Sequence, residues 1–126
     1  MDELVRWLGE QLDEDERIAR AATLGPWVQS GIGDYGWTVD FGRPGAGVET
    51  ADTEQGLADA DFIAAHDPAR VLREIDAKRD LLRFAEGIHD HHETFTTGVA
   101  SRLEKTLRLF ALAYADHPGY RSEWAP

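Results

Sequence analysis

Residues 22–51, ATLGPWVQSGIGDYGWTVDFGRPGAGVETA, decide the fold. Gly25 can take the left-handed backbone conformation that closes a helix, and Pro26 prevents that helix from continuing. Beyond them, Trp27–Ser30 reads as an extended segment and Gly31–Asp34 as a turn. Tyr35–Phe41 alternates aromatic or branched residues with others, the pattern of a strand. Gly42–Gly47 is a second loop and Val48–Ala51 a short third strand. Such strands form a small antiparallel meander, which is not stable alone and must pack one face on helices. Trp27 and Trp37 are the expected anchors of that packing, since a Trp buries so much area.

Helices flank the meander. Asp2 is placed to cap a helix running to about Ala22, with Leu4, Val5, Leu8, Leu12 and Ala19 on one apolar stripe. Asp13–Arg17 and Glu16–Arg20 are i,i+4 pairs in the favourable orientation. After the meander, Leu57, Ala60, Phe62, Ile63 and Ala64 suggest a short helix weakened by Gly56. A longer helix starts at Pro68, where a missing N–H costs nothing, with Asp67 as its N-cap. Its apolar face is Val71, Leu72, Ile75, Leu82 and Ala85, Glu74–Lys78 is an i,i+4 pair, and the helix weakens near Gly87. A last helix over about 99–115 carries Val99, Leu103, Leu107, Phe110 and Tyr114, and Tyr120 and Trp124 are placed to pin the tail back on the body. The expected architecture is α+β: an N-terminal helix, a meander of about three strands, then two to three helices packed on it, as a single domain over 1–126.

Composition excludes several function classes. The chain has no cysteine, so disulfides, thiolate zinc sites and a cysteine nucleophile are ruled out. No apolar run approaches the roughly 18 residues that cross a bilayer. The start, MDELVRWLGEQLDEDE, is acidic and amphipathic, unlike a signal peptide, so the expected address is the cytoplasm. Net charge is −11 and unevenly spread: residues 44–69 hold six acids and no Lys or Arg, whereas 70–126 hold nine of each sign. Direct nucleic-acid binding is disfavoured, because phosphates need a basic face. An acidic surface instead suits a protein partner with a basic patch, or simply solubility.

Three blocks carry a family likeness: LDEDERIARAATLGPW (12–27), HDPARVLREIDAKRDLL (66–82) and LRLFALAYADHPGYRSEW (107–124). Together they resemble a family of small proteins of unknown function common in actinobacteria and their phages. More loosely, ATLGPW followed by DADFIAAHDPARVLREI is similar to the opening module of the Ea22-like phage proteins. The resemblance implies an α+β module in actinobacterial or prophage genes. It brings no activity, cofactor or catalytic residue.

Chemistry, if present, concentrates in GIHDHHETF (87–95), which holds three of the five histidines. On a continuous helix Glu86, His89, His92 and Glu93 share one face. His89, His92 and Glu93 could then hold Zn²⁺ with a position open for water, with His117 as a further ligand. There is no H-E-x-x-H, and a solvated helix end explains the same residues. His66–Asp67 and His89–Asp90 are pairs of the kind used by metal phosphohydrolases, but Asp67 already has work as a helix cap. Gly31, Gly33 and Gly36 lack the Lys-Ser/Thr of a phosphate loop. These observations lead to a small cytoplasmic protein that works by binding, with no catalytic residue or cofactor assigned. Its expected surfaces are residues 44–69 and the acidic face of the first helix, and its expected partner is a protein with a basic surface, neither nucleic acid nor membrane. The alternatives are a zinc-dependent hydrolase using the 86–93 cluster and a DNA mimic that occupies the groove of a nucleic-acid-binding protein.

Overall fold

The structure, a computed structural model, describes the backbone of residues 1–90 and 97–126 and the side chains of 1–88 and 98–126. The fold is α+β. Helix α1 (Asp2–Ala21) leads into strands β1 (Val28–Ile32), β2 (Trp37–Asp40) and β3 (Gly47–Glu49). Helices α2 (Glu54–Ala65), α3 (Pro68–Asp90) and α4 (Thr97–Ala111) follow, and single 3₁₀ turns at Leu112–Tyr114 and Ser122–Trp124 end the chain. Two compact units are distinguished: Met1–Asp15 with Ile75–Pro126, and Glu16–Glu74.

The first unit is helical. Leu4, Val5, Trp7, Leu8 and Leu12 on α1 are buried, as are Ile75, Leu82, Ala85 and Ile88 on α3 and Leu103, Leu107 and Ala111 on α4. The recurrence of these positions every three or four residues gives each helix one apolar face. Leu107 is wholly buried, so its truncation to Ala would cost roughly 2–5 kcal/mol. The expected stripe on α4 is partly corrected: Leu103, Leu107 and Tyr114 are buried, but Val99 and Phe110 are exposed. The C-terminal tail closes on Trp7. Its indole Nε1 donates to the Pro118 carbonyl at 3.1 Å, and its ring packs against Tyr114, Tyr120 and Trp124 with centroids 6.2, 5.8 and 5.2 Å away.

The second unit holds the sheet, with antiparallel strands in the order β1-β2-β3. Val28 faces Asp40 and Gln29 faces Val39, but Ile32 faces Trp37, so β1 carries an extra residue before Ile32. Gly31, at φ +97°, supplies the left-handed conformation that this bulge requires. On β2 and β3, Thr38 faces Glu49, Val39 faces Val48 and Asp40 faces Gly47. Facing residues share a side of the sheet. One side therefore carries Trp37, Val39 and Val48, and α2 packs there: Val39 and Ala60 are fully buried, and Trp37 Nε1 donates to the Thr53 carbonyl at 3.1 Å. Thr53 caps α2 by accepting from Gly56 N at 2.9 Å. Gly56 is required in that helix, because a Cβ there would collide with the Ala51 carbonyl oxygen. The expected role of the tryptophans is corrected here. Trp27 and Trp37 are only half-buried, Trp27 stacking on Phe41 at 4.1 Å, whereas the small residues Val39 and Ala60 are fully buried.

The junction before α3 follows the expected chemistry. Asp67 Oδ1 accepts from Arg70 N at 2.9 Å, satisfying a first-turn donor, while Oδ2 accepts from Trp27 N at 3.3 Å. Glu74 takes Arg70 rather than Lys78 as its helical partner, at 3.0 Å. Among the described residues no helix is long and apolar enough to cross a membrane.

Candidate binding surface

Between residues 23 and 69 there are eight carboxylates and one base, Arg43. Where a carboxylate has a job, it is local. Asp67 caps α3, Asp40 Oδ1 accepts from Gly42 N at 2.8 Å, and Glu49 Oε2 accepts from Tyr35 N at 2.9 Å. Asp59 accepts from Gln55 at 3.0 Å and Asp61 from Gln29 at 3.4 Å. Asp34, Asp52 and Glu54 have no hydrogen-bond partner, and none of the eight forms an ion pair, among the described residues. The unit therefore presents uncompensated negative charge to its surroundings.

Large apolar side chains are displayed among these charges. Tyr35 is 86% exposed and Phe62 66%, with Val28 and Ile32 about half exposed. The reason for Phe62 is geometric. Gly56 and Ala60 set the buried side of α2, and Phe62 is two residues beyond Ala60, about 200° around a helix of 3.6 residues per turn. Its ring stacks on His66 at 4.2 Å, and the His66 Nδ1–H donates to the Phe62 carbonyl at 2.8 Å. This aromatic pair is thus held in one orientation on the outward face of α2.

The opposite side of the sheet is open. Thr38, Asp40, Gly47 and Glu49 lie on it, and with Ser30 and the loop through Arg43 they line a shallow depression of about 630 Å³. Arg43 on its wall has no ion-pair partner among the described residues.

The zinc-site residues expected from the sequence are not brought into view by the structure. His92, Glu93 and the side chain of His89 lie outside the described residues. Among the described residues no three His, Cys, Asp or Glu side chains are grouped to hold a metal. His117, the further candidate ligand, has a structural contact: its Nδ1–H donates to Gln11 Oε1 at 2.8 Å. His66 is engaged in ending α2. Sequence reading found the charge of 44–69 but not the display of Phe62, which entered only as part of a helical pattern. The signal was present in the small residues Gly56 and Ala60, which mark the buried side.

Residues 1–126 match, over their whole length, a family of unknown function (DUF6221), and the chain belongs to that family. No curated protein and no solved structure matches it.

Proposed function

Since membership in DUF6221 carries no assigned activity, we propose from the surface itself that this is a non-catalytic binding protein whose partner is a protein with a basic surface. The observation that carries this function is the exposed Phe62–His66 pair on an α2 whose carboxylates lack ion-pair partners among the described residues. A buried aromatic anchor with a charged rim is the common anatomy of a protein interface. The net charge of the region selects a basic partner and speeds encounter with it. Were the gene phage-borne, that partner would be a host protein.

The test is affinity capture with the full chain, at low and high salt, beside two variants. Phe62→Ala removes the anchor, and Asp59→Lys with Asp61→Lys reverses the charge around it. The expected result is a basic protein retained by the wild type, lost from both variants, and weakened by salt as the screening length falls from about 10 Å at 0.1 M to about 3 Å at 1 M. The same proteins captured by all three chains would sink the proposal. Competition by duplex DNA for the captured protein would identify the DNA-mimic form of this function.

A further inference from the structure

We propose that the free edge of β3 takes up an extended, basic segment of the partner protein as a fourth strand; this rests on the basic partner inferred above and names how a further part of it is held. Alternate residues of an antiparallel strand turn their backbone N–H and C=O toward one neighbour, and those between turn theirs away. On β3 the phase is fixed at both ends. Thr50 N–H donates to the Trp37 carbonyl at 2.8 Å, and the Ala46 carbonyl accepts from Phe41 N–H at 3.0 Å. Residues 46, 48 and 50 therefore face β2, and the backbone groups of Gly47 and Glu49 point outward. Those outward groups have no hydrogen-bond partner among the described residues. All three residues of β3 are exposed. The other edge is closed to such addition. On β1 the Gly31 N–H donates to Gln29 Oε1, the bulge before Ile32 twists the strand, and Gln29 Nε2 donates to Asp61 on α2.

The two sides of the sheet set what fits. A strand added antiparallel to β3 exchanges N–H and C=O with Gly47 and Glu49 through two of its own residues, spaced i,i+2. The side chains of those two fall on the side of the sheet that carries Asp40 and Glu49. The residue between them falls on the α2 side, beside Val48, which is 40% exposed. The segment that fits is therefore basic, apolar, basic in alternation. A second copy of this chain would bring the eight carboxylates of residues 23–69 against themselves, whereas a basic segment meets them with opposite charge.

The experiment uses the full ¹⁵N-labelled chain titrated with N-acetyl-Thr-Lys-Val-Lys-Thr-amide. In the free chain the amides of Gly47 and Glu49 should exchange with solvent faster than that of Val48, and the peptide should slow both. The counterpart with glutamate for both lysines should slow neither. N-methylation of either peptide lysine removes an N–H aimed at β3 and should weaken binding about tenfold. N-methylation of the peptide valine, whose N–H points away, should leave binding within about twofold. Glu49→Gln keeps the oxygen that accepts from Tyr35 N and should weaken binding severalfold through loss of charge. Phe62→Ala, on the outward face of α2, should leave peptide binding unchanged. A peptide that leaves Gly47 and Glu49 unprotected, equal loss from all three N-methylations, or loss in Phe62→Ala would each overturn strand addition. So would protection that appears without peptide and rises with protein concentration, the mark of a second copy at this edge. Capture of a basic protein that depends on Phe62 while these two amides stay unprotected would remove the added strand and leave the binding function standing.

Discussion

The Tyr114 hydroxyl donates to Asp15 Oδ2 at 2.6 Å, joining the turn after α4 to α1 within the helical unit. Burial, and then the hydrogen bond and charge of Asp15, push the phenol well above the ordinary tyrosine pKa of about 10. The folded pKa is raised, so this contribution to stability is complete below pH 10 and is lost as pH rises above it. Tyr114→Phe should lower unfolding stability at pH 7 by about 1.5–3 kcal/mol, the range for a hydrogen bond to a charged group. It should also flatten the decline of stability as pH rises above about 10. Urea unfolding of both chains across that range checks both effects. A parallel decline in the variant would show that Tyr114 is not the group responsible.

Asp67 serves two backbone donors, Arg70 N and Trp27 N, forty residues apart at the second. Asp67→Ala should therefore cost more than a simple cap, roughly 2 kcal/mol or above. Hydrogen exchange should speed up at the first turn of α3 and at Trp27 together. Faster exchange at α3 alone would mean that the Trp27 bond contributes nothing.

Gly56→Ala sets two effects against each other. Alanine is favoured over glycine inside a helix by about 1 kcal/mol. Here the added methyl meets the Ala51 carbonyl, a backbone group that cannot swing aside. Overpacking of this kind costs roughly 1–3 kcal/mol and should win, so the variant should melt lower. A higher melting point would show that the approach of α2 to Ala51 is looser than described.

Phe62→Ala should leave stability within about 0.5 kcal/mol, because the ring contributes to no core. A loss of several kcal/mol would show that the ring is structural and would remove the anchor from the proposed surface.

The elements whose local chemistry is self-contained were legible in the sequence. Asp67-Pro68 announces a helix start and Gly25-Pro26 a helix end whatever surrounds them, because a cap or a missing N–H acts within one turn. The two layers of the sheet unit were harder to read. Large aromatic residues suggested that Trp27 and Trp37 would close the contact, yet the fully buried residues are the small Val39 and Ala60, and Gly56 lets α2 approach the Ala51 carbonyl. Trp7 was passed over on α1 because its partners Tyr114, Tyr120 and Trp124 are more than a hundred residues away. No periodicity reports such a pairing. The acidic surface was visible as composition, but the placement of Asp40 and Glu49 on one side of the sheet depends on strand register, which short glycine-rich strands specify weakly.

The four tryptophans divide between the two units, and this gives the protein an optical reporter for each. Trp7 and Trp124 are buried against one another in the helical unit, whereas Trp27 and Trp37 are half-exposed in the unit with the sheet. A small aqueous quencher such as iodide reaches the second pair first, so the quenchable fraction of the emission belongs to the sheet and the protected, blue-shifted fraction to the helices. Followed along a denaturation curve, the two fractions tell whether both units melt together or one outlasts the other, with no label attached.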